Sequence, residues 1–483
     1  MTTLLHYKVG TRCRASAVIR GTSSAAQQRG PSGAIAAMSI VWLLLGSFAS
    51  AAEWEVVISP RVTVIEQNGI TGGGRPVKAG ERLLNFFPDH PDDFGGTKGM
   101  ACAISEDGGL TWTKGPRNWP MPKMVAMWAD RLSAGDLLAF GIHWLPDPAK
   151  RRAPEPQLPT DDAYQIGVSK DDGRTWKLER AVIDCPPEIG YIARPLPHII
   201  ERGELLLMPA YTWSRRGNKV VLLQSGDRGR NWKARSVITT AAAMIQAGAR
   251  VSTPWLESTV SATTDGELLA VVRSGSTVKS KLVSTRSSDG GKTWSPVKVL
   301  PFAGKLPTLR LLENGVLTLT TALSRNHCRV YLSADGEGRD WSDAFIVSSL
   351  TGGNVGVAAT GQDNLLVATP ANRRIDAYHL RIAPKPRLTT DLSPPSAPGF
   401  AKGILTWTPS QNAVAYRVTP VLVKPGPAFQ TTLIEAYAPI QTGATRLDLR
   451  RQLLPGSRYV FDIVAVDDRG RGSPVIRSKE FQN

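Results

Sequence analysis

Five copies of one short box set the limits on what this chain can fold into. Ser105-Glu-Asp107-Gly-Gly-Leu-Thr111-Trp112 returns as Ser169-Lys-Asp171-Asp-Gly173-Arg-Thr175-Trp176 and as Ser225-Gly-Asp227-Arg-Gly229-Arg-Asn231-Trp232. It returns again as Ser287-Ser-Asp289-Gly-Gly-Lys-Thr293-Trp294 and, one residue longer, as Ser333-Ala-Asp335-Gly-Glu-Gly-Arg-Asp-Trp341. Successive copies start 64, 56, 62 and 46 residues apart. Each follows a short β-rich run, such as Met100–Ile104 or Leu282–Thr285. The Asp suits a tight turn because it bonds nearby backbone N–H groups, and the Gly because it tolerates positive φ. The Trp opens the next strand and can pack its ring between neighbouring sheets.

A β-hairpin every 45–65 residues is the signature of a propeller whose blades have four strands each. The remaining strands are legible between the boxes. Glu81–Phe87, Gly135–Phe140, Gly203–Met208, Gly266–Val272, Gly315–Thr320 and Asp363–Ala368 each read as a turn followed by a Leu-rich strand. Six such segments predict an all-β, six-bladed β-propeller over residues 53–384, the sixth blade lacking a box. Ring closure pairs Trp54–Ile58 with Tyr378–Ile382. Pro384, Pro386, Pro394, Pro395 and Pro398 then mark a break, with residues 385–394 as a stiff linker.

Composition narrows the function classes. Of 58 basic residues, five lie in residues 1–51, which contain no acid; the rest of the net +17 is scattered, with no block of five like charges. A nucleic-acid patch shows as a cluster, so no nucleic-acid partner is expected. Cys102, Cys185 and Cys328 are far apart and lack CxxC spacing, and the six His are dispersed, so no metal site, disulfide framework or cofactor is implied. There is no HExxH, P-loop or GxSxG motif. Ala34–Phe48 is a short apolar run followed by Ala49-Ser50-Ala51, which reads as an export signal with either Met1 or Met38 as the start. Residues 1–51 are therefore expected to be removed, leaving a secreted or periplasmic protein with no stable membrane insertion.

The boxes and their spacing resemble the sialidase (neuraminidase) superfamily of Asp-box, or BNR-repeat, propellers. Residues 395–483 resemble a fibronectin type III sandwich, through Leu405-Thr-Trp407, Ala415-Tyr416-Arg-Val418 and the Leu454…Tyr459 corner. The first resemblance implies a glycan ligand, with boxes on the outer side of the ring and away from the active centre. It also implies a three-arginine clamp on a sugar carboxylate, a Tyr nucleophile served by a Glu, and an Asp acid/base.

Carried over residue by residue, the resemblance places Glu257 at the head of one strand, in Trp255-Leu-Glu257-Ser, and Arg273 at the end of the next. The other clamp arginines are Arg75, in Gly74-Arg75-Pro76, and Arg325, with Arg329 and Arg310 as competitors. The acid/base falls on Asp92, beside Asp89 and Asp93. The nucleophile position holds Asn354, in Thr351-Gly-Gly-Asn354, and Asn cannot act as that nucleophile. The resemblance therefore implies glycoside hydrolysis of an acidic sugar by another route, or a glycan- or protein-binding propeller without catalysis.

Overall fold

The computed structural model describes residues 54–67, 72–88, 99–143, 163–213, 217–323, 327–349, 354–424, Gly426 and 435–483, apart from Arg117, Asn372 and Arg451. The leader and its cleavage site lie outside the described residues. The chain is all-β, and its one helix among the described residues is Ala241–Gln246, capped by Thr240, whose Oγ1 accepts from Ala243 N at 3.0 Å.

Strands follow one another in four-stranded antiparallel units. The first unit is Arg75–Ala79, Arg82–Pro88, Met100–Ser105 and Thr113–Lys114. The second runs from Ala126–Arg131 through Leu137–Ile142 and Tyr164–Ser169 to Lys177–Asp184. The third uses Tyr191–Pro195, Leu205–Trp213, Lys219–Ser225 and Asn231–Thr240. Ser258–Ala262, Leu268–Val272, Lys281–Ser287 and Lys298–Ala303 form the fourth. Lys305–Leu311, Leu317–Leu323, His327–Ser333 and Phe345–Ser348 form the fifth. A closing unit joins Gly356–Ala359, Asn364–Ala371 and Arg374–Pro384 to the N-terminal strand Trp54–Ile58, with Val56 opposite Ile382. In each unit the Leu-rich segment picked out by its sequence is the second strand, buried on both faces.

The boxes explain how the units stack. In the first, Ser105 Oγ donates to Asp107 Oδ1 at 2.8 Å and accepts from Gly109 N at 2.7 Å. Asp107 also accepts from the Thr111 backbone N–H at 2.9 Å and from the Thr111 hydroxyl at 2.6 Å. These bonds hold the Asp107 carboxyl down at about 2, the Thr111 hydroxyl contributing most. The turn aims the Trp back at the preceding unit. Trp176 packs on the cluster shared by the first and second units, Trp232 on that of the second and third, and Trp294 on that of the third and fourth. Trp341 does so between fourth and fifth, and Trp112 between the closing unit and the first. In the closing unit the same place, at the head of the outermost strand, is taken by Trp54 from the other end of the chain.

The C-terminal strands make a three-stranded sheet (Ser396–Ala401, Ile404–Thr408, Arg446–Asp448) and a second sheet built on Ala415–Lys424 and Arg458–Val466. Tyr459 OH accepts from Leu454 N at 2.9 Å, closing the corner seen in the sequence. These sheets share one hydrophobic cluster with the fifth and closing units. Ile58 bridges to Ile440, Ala438 N donates to Ile346 O at 2.9 Å, and Arg417 pairs with Glu55 where both side chains are about nine-tenths buried.

Candidate functional site

The first strands of the units run side by side about a common axis, and a cavity opens there. Its free space, counting that open to solvent, is about 400 Å³, and it is bordered by residues of every unit. Arg75 borders it from the first unit, Trp128 and Asp130 from the second, His198 from the third, Ser258 from the fourth, Arg310 from the fifth and Val357 from the closing unit. Depth follows from strand register. Asp130 lies opposite Leu138 and Arg310 opposite Thr318, the same step of their respective second strands, so these two face each other at one level.

The charged groups on this floor are held loosely. Asp130 Oδ1 is 3.4 Å from His198 Nδ1 and 3.6 Å from Arg310 Nη2, while Oδ2 accepts a short bond from Ile199 N at 2.9 Å. Among the described residues the Arg310 guanidinium otherwise reaches the carbonyls of Leu309 and Val357, both at 3.4 Å. Burial alone would raise the Asp130 carboxyl. The bond and charge of His198, the charge of Arg310 and the Ile199 N–H outweigh it and hold it below the ordinary carboxylate range. Burial, with the Arg310 charge, pushes His198 down to about 4 although Asp130 opposes this, so His198 is neutral at pH 7. Burial also lowers Arg310, against the pull of Asp130, and it remains cationic. His198 adopts φ = 87°, a strained conformation for a residue with a side chain, of the kind that collects at functional sites.

Trp128, Ser258 and Thr308 also border the cavity. Trp128 Nε1 and Ser258 Oγ are themselves buried, without a hydrogen-bond partner among the described residues.

Arg75 reaches the cavity because of its glycine run. Gly74 has φ = 87°, and a Cβ there would stand 2.3 Å from Asn85 Oδ1. Asn85 is buried and donates through Nδ2 to Gly73 O at 3.0 Å. Gly356 lets the closing unit approach, since a Cβ on it would meet Gly74 O at 2.3 Å. The Arg75 guanidinium donates from Nη1 to Gly74 O at 2.8 Å. Asn354 stands beside this run, its carbonyl accepting from Gly73 N at 2.7 Å.

Of the residues singled out in the sequence, Arg75 borders the cavity. Glu257 and Arg273 meet each other instead: Arg273 Nη1 donates to Glu257 Oε2 at 2.7 Å, and both side chains are about nine-tenths buried. Glu257 Oε2 also accepts from Leu306 N at 2.9 Å, which ties the pair to the cavity wall through Leu306. Arg273 Nε donates to Gly275 O at 3.0 Å and Nη2 to Ser276 Oγ at 2.5 Å, so each of its nitrogens is engaged. Asp92, Asp89, Asp93 and Arg325 lie outside the described residues. Arg329 is in the strand His327–Ser333 and does not border the cavity. Arg310, a weaker competitor on sequence grounds, borders the cavity together with Arg75. Asp130 and His198 carried no motif. The one available signal was a charged residue inside an otherwise apolar strand, Ala126-Met-Trp-Ala-Asp130.

Residues 156–369 match the BNR repeat-like domain family. No curated protein matches the sequence. Among solved structures, a protein of unknown function from Dyadobacter fermentans aligns over 68% of this chain and 100% of its own at 17% identity, with a TM-score of 0.53; it shares the fold. A Penicillium chrysogenum alpha-L-arabinanase aligns over 67% of this chain and 98% of its own (16% identity, TM-score 0.46). The Hadza microbial sialidase Hz136 covers 66% of each chain (14% identity, TM-score 0.48). Among the described residues no helix is long and apolar enough to cross a membrane, and no cluster of His, Cys, Asp and Glu has the make-up of a metal site.

Proposed function

We propose that this chain is an exported, sialidase-like protein that acts on glycans, built as a six-bladed propeller over residues 53–384 followed by a fibronectin type III-like module. Its ligand is an acidic sugar held in the axial cavity, and its reaction is glycoside hydrolysis. One observation supports this above the rest: Arg75, Asp130, His198 and Arg310, from four different units, converge on one cavity. Arginine suits carboxylate recognition because its planar fork gives two parallel charge-assisted bonds.

With Asn354 at the nucleophile position, the hydrolytic route is an inverting one. Asp92 gives its proton to the leaving oxygen, and Glu257, oriented by Arg273, takes a proton from the attacking water. The test is a screen of acidic glycosides for released reducing sugar, with Asp92→Asn beside the wild type. Turnover falls by about 10²–10⁴-fold in Asp92→Asn with little change in binding if Asp92 is the acid.

A second reading, binding without cleavage, is favoured by the closed Glu257–Arg273 pair, since Glu257 spends Oε2 on both Arg273 and Leu306 N. Binding of an acidic sugar with no hydrolysis of any acidic glycoside would establish it in place of the first.

A further inference from the structure

The cavity end of the fourth unit carries a one-signed surface. Ser258, at the head of that unit's first strand, borders the cavity; it pairs with Val272, and Val272 with Val283. Segments 250–257, 273–281 and 303–306 therefore lie at the cavity end, and the box Ser287–Trp294 at the other. In these segments the basic residues are Arg250, Arg273, Lys279, Lys281 and Lys305, and the acid is Glu257. Glu257 is buried and paired with Arg273, so neither shapes the outer surface. Arg250 and Lys279 are exposed and Lys281 is half-buried, and among the described residues none of these three has an ion-pair partner. By sequence, the connections 214–216 of the third unit and 324–326 of the fifth contain Arg215, Arg216 and Arg325 and no acid. The acids of the corresponding connections belong to the first and second units, as Asp89, Asp92, Asp93, Asp147, Glu155, Asp161 and Asp162.

The backbone beneath the three cations is firmly tied. Ser252 N donates to Ser274 O at 2.8 Å, and Ser280 N donates to Thr277 O at 3.0 Å. The hydroxyls of Ser252 and Ser280 are 3.0 Å apart, and a Cβ on Gly275 would meet them at 2.2 and 2.3 Å. Segment 250–253 thus lies directly against the turn 274–280, which Arg273 holds from below through Gly275 O and Ser276 Oγ. The two segments also expose Ser252, Ser276 and Thr277. The surface is continuous with the cavity, because Leu306 lines the cavity and its N–H donates to Glu257 of the same end.

Cations spread over two segments suit a partner whose negative charges repeat along a chain. Single-stranded nucleic acid needs exposed aromatic rings for its bases, and among the described residues no aromatic side chain is exposed. An anionic bilayer needs an apolar face to insert; Ile245 and Val278 are exposed here as two separate aliphatics on different segments. Exposed hydroxyls beside spaced cations match an anionic polysaccharide.

We infer that Arg250, Lys279 and Lys281, with Ser252, Ser276 and Thr277, form a docking surface for a polyanionic polysaccharide, outside the axial cavity and leading into it. This capture surface goes beyond the role proposed for the cavity and is independent of whether a terminal sugar is cleaved.

The test is titration of the full chain with heparin (sulfated) and polygalacturonate (carboxylated), beside neutral dextran, an oligothymidylate and phosphatidylglycerol vesicles. One or both anionic polysaccharides bind, dextran does not, and added salt weakens the complex. Which of the two binds names the anionic group. Arg250→Gln combined with Lys279→Gln and Lys281→Gln weakens the complex about 30-fold, at about 3-fold per exposed cation, with the melting temperature unchanged. Arg250→Lys combined with Lys279→Arg and Lys281→Arg retains it. Lys170→Gln combined with Lys233→Gln and Lys292→Gln removes the same net charge beside the boxes and changes binding less than about 3-fold. Equal loss in the two Gln triples overturns the inference, because net charge then suffices. Tighter binding of the oligothymidylate or the vesicles than of either polysaccharide overturns it, as does binding of no polyanion. Titration with acidic monosaccharide glycosides reads the cavity alone and is unchanged in the first triple, so failure of the cavity reading and failure of this surface are distinguishable.

Discussion

The packing of the box tryptophans makes a graded stability prediction, and Trp232 is where it is largest. Its side chain is 1% exposed, meets Phe140 edge-on at 6.1 Å between ring centres, and donates from Nε1 to Gly229 O at 2.8 Å. Removing roughly 200 Å² of buried apolar surface at about 25 cal/mol per Å² gives about 5 kcal/mol, and measured large-to-small core replacements fall at about 3–5 kcal/mol. Trp112 is only partly buried and occupies the equivalent place between the closing unit and the first. Trp112→Ala should therefore cost about half as much. Denaturant unfolding followed by circular dichroism, with melting as a second probe, measures both. For a compact unit of roughly 430 residues, about 4 kcal/mol corresponds to a downward shift of about 4–5 °C. Trp232→Phe separates the contributions, since it keeps an aromatic ring and loses mainly the bond to Gly229, for a cost of about 1–2 kcal/mol. A Trp232→Ala loss under about 1.5 kcal/mol, or no larger than that of Trp112→Ala, would refute the idea that these rings wedge neighbouring units together.

The other predictions concern charge. Arg75→Ala should weaken binding of an acidic sugar about 100-fold by titration calorimetry, because an anion then loses its charge-assisted partner. Glu55→Gln should lower unfolding free energy by about 3 kcal/mol by leaving Arg417 buried and uncompensated, while Glu55→Leu combined with Arg417→Met should recover most of it. The carboxyls of Asp107 and Asp171 sit at about 2 in the folded chain against 3.8 ordinarily, held down first by the hydroxyls of Thr111 and Thr175. A lowered folded pKa stabilises above the unfolded value and is lost as pH falls through the folded one. Acid titration of stability should therefore show a decline between about pH 4 and pH 2, and Asp107→Asn with Asp171→Asn should flatten it.

The strand plan was legible because it is periodic. The Ser-Asp-Gly-Trp boxes and the Leu-rich second strands recur, and each recurrence marks the same place in a unit. The axial site was legible only in part, because the segments that build it contribute polar residues with no shared spacing. Arg75 stood out through its glycines and the proline after it. Asp130 sits in an apolar strand where a lone acid has many explanations. His198 enters the cavity through a backbone kink between Tyr191–Pro195 and Ile200–Arg202 that no local pattern announces. Arg273 shows the converse: a strand-end arginine at the expected position, whose local bonds to Glu257, Gly275 and Ser276 depend on a turn geometry the sequence does not spell out.

A chain ended at Pro384 would leave Trp54–Ile58 as a bare outer strand, with Val56 and Ile58, now 0% and 1% exposed, losing the cover of Ile440 and its neighbours. Uncovered apolar edges invite pairing between molecules. The first symptom of such a deletion would be self-association, arriving before any loss of the sugar recognition proposed at the axis. The C-terminal strands thus act as an edge guard for the one unit that has no box. Clipping them off is a poor way to ask what they bind, and point changes on their exposed face are the cleaner instrument.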